Sequence, residues 1–176
     1  MILLLAECYA NKGFAQLLKQ KLSKKLKKKV VLKHSYTYSR DEVLKKATPK
    51  SLKNWCQTSS SPFPSVVVVL IDREEGMSST YIDGTFHERL PVKLEQYCIS
   101  MHIRRESKYV MLGIVFNPRI EEALEAIIGR KLNREIRRKI KDKNGVLLVK
   151  RLLSRSENLD EILRKLTDAV IRYGKL

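Results

Sequence analysis

The sequence predicts an α/β fold: a small, mostly parallel sheet flanked by helices, with a helical C-terminal extension. Three observations lead there. Val66 to Ile71 is an unbroken apolar run rich in β-branched residues, the pattern of a strand covered on both faces. Ile2 to Ala6 is a second buried run of the same kind. Strand-like and helix-like segments alternate along the first two thirds of the chain, which implies parallel strands joined by helical crossovers.

A chain of 176 residues is long enough for one domain with a real core. We read residues 1–124 as the α/β core and 125–176 as a basic, mainly helical extension of the same domain. Apolar residues make up 43%, which excludes a disordered chain. The net charge of +17, from 36 Lys and Arg against 19 Asp and Glu, suits nucleic acid or another anionic surface as partner. Nothing approaches the ~20 apolar residues of a membrane span. Met1 to Ala6 has no basic region before it and is too short for a signal segment. Cys8, Cys56 and Cys98 are odd in number and lack zinc-ligand spacing, as free thiols in a reducing compartment would be. The expected location is cytoplasmic.

The elements follow in order. Ile2 to Ala6 is a strand ending in Glu7. Asn11 is placed to cap a helix whose apolar positions Phe14, Leu17, Leu18, Leu22 and Leu26 make one stripe. The other faces of that helix are basic, since Lys12 to Lys33 holds nine Lys and no acid. Val30 to Tyr38 reads as a short strand. Asp41 to Gln57 reads as helical in pieces, with Pro49 as a break or a first helical residue. Thr58 to Pro64 is a loop into the central strand, which stops in Asp72, Glu74, Glu75 and Gly76. The polar stretch from there to Gly84 has no clear pattern. Leu90 to Ile103 reads as a helix starting near Pro91, and Tyr109 to Phe116 as a strand. Asn117 and Pro118 suit the cap and first position of a helix running to Gly129. Asn133 to Lys141 is a basic helix, and Val146 to Leu153 fits either a strand or a helix. The last helix buries Leu159, Ile162, Leu163, Leu166, Val170 and Tyr173 behind a capping box of Asn158 and Glu161.

An acid released at the C-terminal end of a buried parallel strand points into the crevice where α/β sheets hold ligands. Two strands end this way, the first in Glu7 and the third in Asp72 and Glu74. If these strands are neighbours, their carboxylates meet and raise one another's pKa. A divalent cation resolves the conflict, and Mg²⁺ (or Mn²⁺) is the hard ion suited to all-oxygen groups. Such an ion keeps water positions open for a phosphate or an attacking water. In a basic protein this is equipment for phosphodiester chemistry. The belt from Arg130 to Arg151 is the candidate phosphate contact, with Arg134, Arg137, Arg138 and Lys141 on adjoining helix positions.

Ile-Leu-Leu-Leu-Ala-Glu7 and Val-Val-Val-Val-Leu-Ile-Asp72-Arg-Glu74 resemble the Toprim domain, in which one strand closes on Glu and a later one on an acid-x-acid pair. That domain is shared by topoisomerases, bacterial primases, small ribosomal-RNA maturases and OLD-type nucleases. The resemblance covers roughly Met1 to Leu124 and implies a Toprim-like, Rossmann-like sheet. Asn117-Pro118-Arg-Ile-Glu121 resembles the segment that begins a helix in some stand-alone relatives, with its Glu near the acid cluster. The resemblance implies that Glu7 is the general acid/base, that Asp72 and Glu74 hold Mg²⁺, and that Glu121 is a further ligand. It also places Lys12 where a phosphate would pass. The chain departs from the pattern at Cys8, usually Gly, and at Glu74, usually Asp.

The same residues have plainer roles open to them. Glu7 and Asp72 also suit the capping of turns, Glu74 and Glu75 a solvated loop, and Glu121 and Glu122 a helix's first turn. The Lys face of the first helix reads as solvated, Trp55 reads as core, and His34, His87 and His102 receive no role. Two functions therefore stand: a small Mg²⁺-dependent Toprim-type nuclease, or a non-catalytic nucleic-acid-binding module on the same fold. A nucleotide-processing protein ranks behind both, for there is no Walker A sequence and no Gly-x-Gly-x-x-Gly.

Overall fold

The computed structural model describes residues 1–33, 39–73 and 84–174. Its strands are β1 (Ile2–Ala6), β2 (Val30–Lys33), β3 (Val66–Asp72), β4 (Glu88–Leu90), β5 (Ile99–Arg105) and β6 (Val110–Phe116). Among the described residues seven α-helices accompany them: α1 (Tyr9–Lys25), α2 (Arg40–Lys46), α3 (Pro49–Ser59), α4 (Ile120–Ile128), α5 (Arg134–Lys139), α6 (Gly145–Leu153) and α7 (Leu159–Tyr173). The strands form one sheet in the order β2-β1-β3-β6-β5-β4. The first four in that order run parallel, and β5 and β4 continue the sheet antiparallel. The α/β class and the mostly parallel sheet are as the sequence predicts.

Alternation along β3 explains why it is apolar from end to end. Val66, Val68 and Leu70 enter one core, with β1, α1, α4, α6 and α7. Val67, Val69 and Ile71 enter a second, smaller core under α2 and α3. The sheet is thus the middle of three layers, and β1 and β3 lie side by side in its centre. The segment after residue 124 is part of this structure. The division falls inside α4, and Val149, Leu153, Leu166 and Val170 share a core with Phe14 and Leu18. Gly13 permits that contact, since a Cβ there would stand 2.9 Å from Val149 Cβ and 3.1 Å from the Val146 carbonyl oxygen.

Several expectations are corrected. Leu90 to Ile103 is not a helix: β4 ends at Leu90, a 3₁₀ turn covers Glu95–Tyr97, and β5 begins at Ile99. Leu90, Leu94, Cys98 and Met101 happen to fall at helical spacing. The real alternation, Ile99, Met101 and Ile103, is masked because Ser100 and His102 between them are buried as well. Asn11 is not the cap of α1; Cys8 is, its Sγ accepting from the Asn11 N–H at 3.5 Å. Asn117 does not cap α4, whose N-cap is Arg119. No capping box forms at Asn158, whose side chain instead donates to the Ile127 carbonyl at 3.1 Å. Lys21 and Lys25 of the Lys-rich face are paired with Asp160 at 2.9 Å and Asp168 at 2.5 Å, which tie α1 to α7. Pro49 does open a helix, and Val146 to Leu153 is helical. The strand predicted to Tyr38 is described only to Lys33, and 34–38 and 74–83 lie outside the described residues. Among the described residues no helix is long and apolar enough to cross a membrane.

Candidate active site at the ends of the two central strands

β1 and β3 are hydrogen-bonded neighbours, with Ala6 beside Leu70, so Glu7 and Asp72 leave the sheet together. The Asp72 N–H donates to Glu7 Oε2 at 2.8 Å, and the Glu7 N–H donates to the Leu70 carbonyl at 3.2 Å. Asp72 Oδ1 accepts from the Asn11 side chain at 3.4 Å and from the Ile120 N–H at 3.1 Å. Asn11 is in the first turn of α1 and Ile120 opens α4, so the carboxyl sits where two helix N-termini converge.

Helix termini favour a negative charge, yet the balance at Asp72 goes the other way. Burial, then Glu7 and Glu121, push its pKa up to about 8 against the bonds from Asn11 and Ile120. Asp72 makes no ion pair among the described residues, and both its donors fall on Oδ1. Glu121 is only 3% exposed, unlike an acid placed in a first turn for the dipole alone. Its Oε1 meets Lys141 Nζ at 2.6 Å, and its Oε2 is buried without a hydrogen-bond partner among the described residues. Asn11 is wholly buried, and its Oδ1 is likewise unpartnered. The Cys8 thiol is pushed up to about 12, by burial first and Asp72 second, which makes it a cap and not a nucleophile.

The donor set fits a hard divalent cation in kind. Asp72, Glu7 and Glu121 are carboxyls within electrostatic reach, and two buried oxygens there, Glu121 Oε2 and the Asn11 amide Oδ1, lack a donor among the described residues. Among the described residues, however, no three Asp, Glu, His or Cys side chains are gathered closely enough to form a ready metal site. Glu74, the remaining predicted ligand, lies outside the described residues.

The predicted phosphate contacts divide. Arg137 is held by two acids of α4, with NH2 2.6 Å from Glu125 Oε1 and NH1 3.1 Å from Glu122 Oε1. Burial opposes the Glu125 charge, but the Leu132 N–H, Arg137 and Lys131 hold its pKa below the ordinary carboxylate value. Lys141 is held by Glu121. Arg137 therefore braces α5 against α4, and Lys141 ties the turn after α5 to the same helix. Arg134 and Arg138 are exposed. Lys12 lines a groove between α1 and β2. The residue that sequence reasoning misassigned is Asn11. Its signal is position: it lies on the same stripe as Phe14, Leu18 and Leu22, where a polar side chain must be buried.

Comparison with protein-family models, with curated proteins and with solved structures finds no match to this chain.

Proposed function

We propose that the protein is a Toprim-like, Mg²⁺-dependent enzyme on nucleic acid, a small nuclease acting on phosphodiester bonds of DNA or RNA in a reducing, cytoplasmic setting. One observation carries the reading. Asp72 is a buried carboxyl whose partners are neutral N–H groups, and burial first, then the nearby Glu7 and Glu121 carboxyls, push its pKa up to about 8. Near neutral pH such a group ionises readily only when a cation arrives. Asp72 and Glu121 would hold the ion, with the Asn11 Oδ1 beside them and Glu74 added by the resemblance. Bound there, Mg²⁺ supplies the positive charge against which a phosphodiester is positioned and polarised. Glu7, steadied by the Asp72 N–H, is the group that moves a proton to or from the reacting oxygen. The three free cysteines accord with a reducing compartment.

The test is cleavage of end-labelled single- and double-stranded DNA and RNA with Mn²⁺, alongside Glu7→Gln and Asp72→Asn. Activity in the parent protein alone supports the reading, and a protein that cuts none of the four is not a nuclease.

A second reading rests on a different observation. Glu7 and Asp72 each commit one oxygen to a backbone N–H, and Lys141 neutralises Glu121, so the cluster also works as a brace joining β1, β3 and α4. A non-catalytic module of this kind binds nucleic acid equally well in EDTA and in the two amide variants, with strong salt dependence.

A further inference from the structure

The positive charge of this chain is unevenly placed. Between Cys8 and Ile71 it carries fourteen Lys and Arg, with Asp41 and Glu42 the only acids. That stretch builds α1, β2, α2 and α3, and β2 is the edge strand on its side of the sheet. Basic groups therefore flank one sheet edge on both faces. On the α1 face, Lys12, Lys19 and Lys24 line an open groove beside Leu32. On the α3 face, Lys33, Lys46, Asn54, Trp55 and Thr58 line a hollow of about 310 Å³ floored by Leu3 and Leu5.

Trp55 is the chain's single tryptophan; it packs against the smaller core from α3 but is only half-buried, and it lines the hollow. Lys33 Nζ stands 4.2 Å from the ring centroid. Burial and the neighbouring Lys46 ammonium lower the Lys33 pKa, so this corner gains from an anion. Lys33 makes no ion pair among the described residues. The helix that offers the ring has no acid from Pro49 to Ser59. The hollow also lies near the acid cluster. Lys33 is registered against Leu5, and Glu7 follows two positions on, roughly 7 Å along an extended chain.

A cationic hollow with an accessible indole face selects for bases that are free to stack. In a duplex the base faces are already stacked and the backbone alone reaches a surface. An unpaired strand offers both π-face and phosphate. We propose that the β2 edge binds a single-stranded polynucleotide. One unpaired base stacks on Trp55 in the place Lys33 now holds, its phosphates meet Lys33 and Lys46, and the strand continues past Lys12, Lys19 and Lys24. This gives a surface and a strandedness to the nucleic-acid partner of the functional reading above, on which it rests. It also moves the main contact away from the basic segment around α5 and onto the sheet edge that carries Trp55.

The test uses the full chain in EDTA at low salt, so that no cleavage intervenes. A labelled single-stranded oligonucleotide of about twelve nucleotides is titrated, with tryptophan emission and label anisotropy read together. Quenching of Trp55 that saturates with the anisotropy, and is absent with an equal-length duplex or with inorganic polyphosphate, is the expected result. Trp55→Phe keeps binding within about threefold, Trp55→Leu weakens it roughly fivefold or more, and Lys33→Gln weakens it and flattens the salt dependence. Binding without any change in tryptophan emission overturns the proposal. So does a preference for duplex, or binding that is lost in Arg134→Gln/Arg138→Gln but kept in Lys33→Gln. Those results leave the acid cluster untouched, because EDTA keeps it out of the measurement. A quench without nuclease activity would retain this surface and remove the enzyme reading. A chain that binds no polynucleotide at all overturns both.

Discussion

The Asp72 backbone N–H donates to Glu7 Oε2 at 2.8 Å, while the side-chain carboxyls of the same two residues repel each other. One contact thus joins the ends of the two central strands and concentrates negative charge there. Its two aspects separate on substitution. Glu7→Gln keeps an oxygen acceptor for the N–H, and denaturant unfolding should place its stability near that of the parent. Glu7→Ala leaves that donor without its partner and should cost about 1–2 kcal/mol.

Asp72 makes the stability of the metal-free protein depend on pH in an unusual direction. Its pKa in the folded protein, about 8, lies above the ordinary aspartate value near 3.9. Between those limits the folded protein binds more protons than the unfolded chain, so stability is greatest below about pH 4 from this group and is lost as pH rises towards 8. Urea unfolding in EDTA at pH 5 and pH 8 measures it. Asp72→Asn should remove this fall and be the more stable protein at pH 8. A parent that gains stability relative to Asp72→Asn over that interval would contradict the assignment.

The basic helix α5 should behave as a brace. Arg137→Ala removes the guanidinium that bonds Glu122 and Glu125, the latter only 6% exposed, and should cost about 1–3 kcal/mol. Arg134→Ala and Arg138→Ala, at exposed positions, should stay within about 0.5 kcal/mol. Equal effects at all three positions would mean that the Arg137 pairs do not carry the contact between α4 and α5.

On the other face of the sheet, Phe86 lies flat on Gly113 of β6. A Cβ at Gly113 would come within 2.8 Å of Phe86 Cε1 and 2.9 Å of Cε2, and the ring, 2% exposed, has nowhere to swing. Gly113→Ala should therefore destabilise by about 1–3 kcal/mol through overpacking, although alanine is otherwise the better strand residue. Thermal unfolding checks it, and an unchanged or raised Tm would show that the ring can move.

Much of this architecture is legible in the amino-acid order because local pattern and tertiary role agree. Val66–Ile71 is apolar throughout since both its faces are covered, and Leu159–Tyr173 shows a clean stripe since only one face is. The neighbouring ends of Glu7 and Asp72 follow from two such strands pairing. The antiparallel strand β5 was hidden for the opposite reason: Ser100 and His102 are buried between Ile99, Met101 and Ile103, so the period of two is blurred. Asn11 looks like a surface cap because it is a first-turn Asn, and Glu121, which the resemblance places near the acid cluster, equally suits a helix's first turn by local pattern alone. What buries them is the convergence of α1 and α4 on the strand ends, which no local window contains. The pairing of Arg137 and Lys141 is equally non-local, since their acids sit on a different helix. Trp55 does pack against the smaller core, and its partial exposure depends on how α3 lies near the edge of the sheet, which no local window contains.

Calorimetric titration of the full chain with Mn²⁺ at pH 6 and pH 8.5, beside Glu7→Gln and Asp72→Asn, tests the cation site most directly. The ion and the proton compete for Asp72, so binding should be tighter at the higher pH, release protons at the lower, and vanish in Asp72→Asn. No binding at either pH, or binding that is equally strong in Asp72→Asn, would show that the acids at the ends of β1 and β3 hold the fold together and do not hold a metal.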